Sequence, residues 1–162
     1  MGKRGDPSLR NQGGGVFQGA VALNLDAKGR LQIPARHREA LHRPGNGSVV
    51  ITVHPDRCLL LYPAPAWEPI RDKLLAVSSF DRRESAVKRL LVGHARDENI
   101  DAAGRVLIAP ELRALAGLEK QVWLVGQGSH FELWSDAGWQ SQQEGMFALG
   151  ANLPGSLQDL AL

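Results

Sequence analysis

The sequence predicts an α+β fold, mainly β, in which two tandem half-units interleave into one small pseudo-symmetric β-barrel with flanking helices. Three observations carry this expectation. The stretch "LDAKGRLQIPARHREAL" from Leu25 returns as "IDAAGRVLIAPELRALAGL" from Ile100, so a unit of some fifty residues is written twice. A segment of helical texture separates the copies. Neither copy holds enough strand to satisfy its own sheet edges, which interleaving of the two would do.

The elements follow in chain order. Residues 1–15, "MGKRGDPSLRNQGGG", carry charge and glycine without apolar periodicity and read as a flexible extension; without an apolar h-region they are no secretory signal. The first repeat occupies 16–62. Alternation in "VALNL" (Val21, Leu23, Leu25) reads as a half-buried strand, and "DAKG" supplies turn chemistry, with Gly29 free to take positive φ. "RLQI" is a second short strand, so Asp26 to Arg30 forms a tight corner. Pro34 suits the first turn of a helix, "PARHREAL", and two apolar strands follow, "SVVITV" and "CLLLY", around a loop with His54, Pro55 and Asp56.

Residues 63–91 turn helical: Trp67, Ile70, Leu74 and Val77 recur at helical spacing, and Asp81 with Glu84 resembles a capping pair before "SAVKRLLV". The second repeat, 92–135, runs through Asp101, Gly104 and Arg105, the helix "PELRAL", then "QVWLV", the loop "GQGS" and "HFELW". A helix from about Asp136 and a tail complete 136–162. Aligning the copies pairs Asp26 with Asp101, Arg30 with Arg105 and Arg38 with Arg113. After a shift of three residues, Val49 pairs with Gln121, Tyr62 with Trp134 and Trp67 with Trp139.

Composition excludes several classes. A chain of 162 residues with 43% apolar and 22% charged residues is globular and can bury a core without staples, and its longest apolar runs are far short of a membrane span. The lone Cys58 rules out an internal disulfide framework and fits a reducing compartment, which makes cytoplasm the default. The five histidines show no paired metal spacing, and no P-loop is present. "VWLVGQGSHFELW" lacks the third glycine and the helix of a dinucleotide fingerprint, and Ser129 beside His130 is only adjacency. No catalytic residue, metal or cofactor is assigned, and no small-molecule substrate is evident.

Net charge is only +2, but its distribution is uneven: residues 1–62 hold nine Lys or Arg against four Asp or Glu, and 63–162 hold ten against thirteen. The basic excess lies with the first repeat, as a solvated tail and face or as a surface for polyanions. Within each corner Asp26 can orient Arg30, or satisfy turn amides, as Asp101 can for Arg105; the same pairs would serve equally as turn-stabilising ion pairs. Arg36, His37 and Arg38 cluster on the short helix beside the first corner, where a solvated face explains them as well as a contact does. Arg82, Arg83, Lys88 and Arg89 interleave with Glu84 and read as ordinary surface.

"DAKGRLQIPARHREAL" and "DAAGRVLIAPELRAL" resemble the swapped-hairpin unit of AbrB-type transition-state regulators. Two such copies in one short chain, each ending in an aromatic strand and a Trp-containing helix, resemble the MraZ family of bacterial transcriptional regulators over about residues 16–145. The resemblance implies two AbrB-like half-barrels forming one swapped-hairpin barrel in a cytoplasmic, nucleoid-associated regulator. It further implies a repressor of the division and cell-wall gene cluster that includes its own gene, binding short direct repeats of double-stranded DNA as a ring-like homo-oligomer. By position it makes Lys28, Arg30, Arg36, Arg38, Arg105 and Arg113 the expected DNA contacts, with Asp26, Gly29, Asp101 and Gly104 shaping the corners. Ala103 in place of Lys28, the "IAP" for "IPA", and the N-terminal extension depart from the pattern and put equal participation of the copies in question. The competing expectation is a protein-interaction scaffold or antitoxin-like module, with "MFALGANLPGSLQDLAL" as a docking tail and Trp67 and Trp139 either at interfaces or in simple core packing. Arg-dependent, salt-sensitive affinity for duplex DNA separates the two.

Overall fold

The computed structural model describes residues 17–150 and 152–162; the expected N-terminal extension, 1–15, lies outside the described residues. Strands β1 (Ala20–Asn24) and β2 (Arg30–Gln32) flank the first corner, and helix α1 (Ala35–His42) follows. Pro34 stands one place earlier than expected, capping α1 rather than opening it. Strands β3 (Ser48–Val53) and β4 (Leu59–Pro63) form a hairpin, helices α2 (Ala64–Leu75) and α3 (Arg82–Leu91) connect, and the second copy repeats the plan. It runs β5 (Arg96–Asn99), β6 (Arg105–Leu107), α4 (Pro110–Leu115), β7 (Gln121–Gly126), β8 (Phe131–Ser135) and α5 (Asp136–Ala148), before a short 3₁₀ turn at Gly155–Leu157.

Pairing crosses between the copies. One antiparallel sheet runs β1-β7-β8-β4-β3-β5, an order that reads the same when the copies are exchanged. Each copy's first strand therefore leaves its own hairpin and extends the other's: Val21 lies opposite Leu124, and Glu98 opposite Val49. The two hairpins meet at the middle of the sheet, where Leu60 faces Glu132. Where one closed barrel was expected, the described ladder is an open sheet with β1 and β5 at its edges. The corners turn β2 and β6 out of that sheet, and these strands pair with each other as a separate ribbon, Leu31 opposite Val106.

The hairpin registers also correct the internal alignment. Val49 lies opposite Pro63 and Val122 opposite Ser135, while Tyr62 and Trp134 keep their equivalence, so β3 matches β7 as Val49 with Val122, one residue from the expected Gln121. The slip is absorbed in the hairpin loops, 54–58 in the first copy and the shorter 127–130 in the second. Alternation could not have fixed this phase, because every residue of β3 after Ser48 is buried.

Both faces of the sheet are covered. On the inner face Val49, Ile51, Leu59, Leu61, Val122, Leu124, Phe131 and Leu133 pack with Leu31 and Val106 of the ribbon and with Leu41 and Leu112 of α1 and α4. On the outer face Trp67 of α2 packs on Val50, Leu60 and Tyr62, and Trp139 of α5 packs beside Trp123 and Trp134. Trp67 is thereby a core residue; the Trp139 indole N–H is buried with no partner among the described residues. Asp81 caps α3 as expected, its Oδ1 accepting from the backbone N–H groups of Arg83 and Glu84, both at 2.9 Å.

Candidate nucleic-acid interface

The two DxxGR corners fold alike because the same carboxylate chemistry operates in both. In the first, Asp26 Oδ1 accepts from the N–H groups of Lys28 and Arg30, both at 2.9 Å, and Oδ2 accepts from Arg30 Nε at 2.7 Å. In the second, Asp101 Oδ1 accepts from the N–H groups of Ala103 (3.0 Å) and Arg105 (2.8 Å), and Oδ2 from Arg105 Nε at 2.9 Å. Each aspartate thus does both things its position allowed, satisfying turn amides and fixing the guanidinium. These bonds hold both carboxyls below the ordinary 3.8, the backbone donation from Arg30 or Arg105 being the largest cause. Each bond to Nε leaves the terminal guanidinium nitrogens without a protein partner among the described residues. A half-exposed cation, oriented from behind and open at its tip, is suited to bidentate pairing with phosphate or a guanine edge.

The ribbon sets the corners relative to each other. Arg30 lies opposite Leu107 and Gln32 opposite Arg105, which puts the two arginines at opposite ends of one short antiparallel pair. Lys28 is exposed at the tip of the first corner, and Ala103 is its counterpart in the second.

Behind the tips the copies are interlocked. Ile33 donates its N–H to Gly104 O and Ile108 donates to Gly29 O, both at 2.9 Å. Gly29 and Gly104 each take φ of +81°, which the turn reading anticipated. Their second constraint involves the opposite copy: a Cβ on Gly29 would stand 2.6 Å from Arg113 Cζ, and one on Gly104 would stand 2.8 Å from Arg38 Cζ.

The cluster expected on α1 therefore divides three ways. Arg38 is half-buried, donates from Nε to Ile33 O at 3.0 Å and lies over the second corner, not the first. His37 is buried edge-on to Phe131 with centroids 5.0 Å apart, and burial pushes its pKa down, followed by the Arg36 charge. Arg36 is exposed, donating from Nε to His37 Nε2 at 3.1 Å, and its Nη2 lies near Gly19 at the start of β1. In α4, Arg113 donates from Nε to Ile108 O at 3.0 Å and covers the first corner. The position matching Arg36 holds Glu111, which forms a surface ion pair with Arg96 at 3.5 Å.

Two residues outside the expected set shape this surface. Gln32 Nε2 donates to Ala103 O at 2.6 Å, bracing the second corner from the first copy. Glu111 removes a cation from the second copy, and the alignment of Arg36 with Glu111 already contained that signal; the Gln32 bond had no local one. A cleft of about 470 Å³ beside the first corner is lined by Asp26, Arg113 and Lys120 among others. Among the described residues no group of three or more His, Cys, Asp or Glu converges as a metal site, and no helix is long and apolar enough to cross a membrane.

Comparison with known proteins locates this arrangement. The family described as "MraZ protein, putative antitoxin-like" matches residues 16–90 and 91–150, one family unit on each copy. A transcriptional regulator MraZ of Aromatoleum aromaticum is 66% identical over 148 residues, covering 91% of this chain and all of the relative. The proteins of the same name from an Azoarcus species and from Methylobacillus flagellatus are 62% and 59% identical, each over 91% of this chain and their whole length.

Proposed function

The chain belongs to the MraZ family, and from that premise we propose that it is a DNA-binding transcriptional regulator whose two DxxGR corners face the duplex. The observation that carries this reading is the pair of aspartate-anchored arginines, Arg30 and Arg105, fixed at Nε and open at the guanidinium tip. Regulators named MraZ, aligned over their full length with this chain, support it. Lys28 and Arg36, both exposed and both on the first copy, add sequence-independent phosphate affinity, and Arg38 and Arg113 support the corners from behind.

In this reading the cross-copy exchange of β1 and β5, with the β2–β6 ribbon beside the open sheet, is a swapped-hairpin arrangement, with domain bounds near 16–62 and 92–135. One protomer offers few cations, so useful affinity calls for linked protomers. A head-to-tail ring matches short direct repeats, as a two-fold dimer would match a palindrome. The protein acts in the cytoplasm on the nucleoid, repressing the division and cell-wall cluster that contains its own gene. The second reading, a protein-binding platform, draws on the exposed apolar side chains of the C-terminal segment, among them Phe147 at 83% and Leu162 at 97% exposure.

The test is retention of fragmented DNA from the source organism by the purified chain and by Arg30→Ala at moderate salt, followed by sequencing. Enrichment of a promoter with closely spaced direct repeats, lost in the variant, is the expected result. Uniform or negligible recovery by both proteins would contradict the reading and favour the platform.

A further inference from the structure

We infer that Arg113 and Arg38 are positioning residues acting across the copies: Arg113 sets the geometry of the Asp26–Arg30 corner, and Arg38 that of the Asp101–Arg105 corner. The inference rests on the DNA-reading function proposed above and adds to it a division of labour among the arginines. Each helix arginine is half-buried and spends its Nε–H on a backbone carbonyl, Ile108 O for Arg113 and Ile33 O for Arg38. Those residues are themselves donors to the opposite corner, Ile108 N–H to Gly29 O and Ile33 N–H to Gly104 O. A continuous path of two hydrogen bonds therefore runs from each helix arginine to a corner glycine of the other copy.

The second link is steric. The guanidinium of Arg113 lies so close over Gly29 that a Cβ there would displace it, and that of Arg38 lies likewise over Gly104. A planar group resting on the backbone between Lys28 and Arg30 fixes the height of the turn that aims Arg30. The ordering is then complete: Asp26 holds Arg30 at Nε, and Arg113 holds the turn on which both stand. Lysine keeps the charge at these positions but lacks both the Nε–H at that reach and the flat face, so Arg→Lys separates positioning from simple charge.

The experiment uses the full chain with Arg113→Lys and Arg38→Lys made separately, each serving as the folding control for the other. Backbone amide NMR of the free protein is read at Gly29, Arg30, Gly104 and Arg105, and affinity for mixed-sequence duplex DNA is read by fluorescence anisotropy. Arg113→Lys is expected to move the Gly29 and Arg30 signals and leave Gly104 and Arg105 in place, with Arg38→Lys giving the converse. Each is expected to weaken DNA binding about tenfold, because the displaced corner no longer aims its Arg30 or Arg105 tip and that one charge-assisted contact is lost. Corner signals unmoved by the opposite copy's substitution, or near-native DNA affinity in the lysine variants, would overturn the inference. Failure of the unaltered chain to bind duplex at all would instead overturn the functional proposal, with the amide signals still deciding whether the cross-copy clamp exists.

Discussion

At the scale of single residues, each corner of the candidate interface is ordered by one aspartate carboxylate. Asp26 and Asp101 have depressed pKa values, principally because each accepts the backbone N–H of its own arginine. A depressed carboxylate contributes stability that is complete above the ordinary value of 3.8 and disappears as pH falls through the lower folded value. Asp26→Asn is accordingly expected to melt below the unaltered chain at neutral pH, with the gap closing as the solution is acidified below 3.8; melting curves across that range check it. A gap independent of pH would show that the charge is not what orders the corner. The turn at Gly29 and the pairing of Asp26 with Arg30 were legible in the sequence because donor and acceptor lie within five residues. The destination of Arg38 was not, since its contact, Gly104, belongs to the other copy and no local spacing encodes it.

At the scale of elements, the connecting helices are held by a few polar contacts whose loss is measurable. Thr52, fully buried in β3, donates from Oγ1 to Leu91 O at 2.6 Å and ties the end of α3 to the sheet. Thr52→Val keeps the shape but orphans that carbonyl, so a loss of about 1–3 kcal/mol in urea unfolding is expected. Asp81→Ala removes the α3 cap and is expected to cost about 1 kcal/mol locally, read as faster amide exchange in Arg82–Leu91 with the sheet unaffected. The existence and order of these elements followed from periodicity and capping chemistry, and the C-terminal helix begins at Asp136 as expected. The phase of β3 against β7 did not follow, because strands covered on both faces lose the alternation that would mark one face as outside.

At the scale of the whole molecule, duplication explains both the sheet and the interface. The exchange of β1 and β5 gives each hairpin the edge strand it lacks, and each corner that results has its glycine against a helix arginine from the other copy. The need for interleaving was readable from two copies with too little strand each; the open sheet with a separate ribbon was not, because which strands leave a sheet at a turn depends on the fold of the partner copy. The copies are unequal in charge, with Lys28 and Arg36 answered by Ala103 and by Glu111 paired to Arg96, so on the proposed reading more phosphate contact is expected from first-copy residues. The central claim is that Arg30 and Arg105 meet the DNA backbone or bases directly. The measurement that tests it most directly is the salt dependence of duplex affinity for the full chain and for the double variant Arg30→Ala with Arg105→Ala. The account predicts a steep fall of log affinity with log salt, made shallower in the variant by about 0.9 for each phosphate contact removed per protomer. An unchanged slope and affinity in the double variant would contradict it.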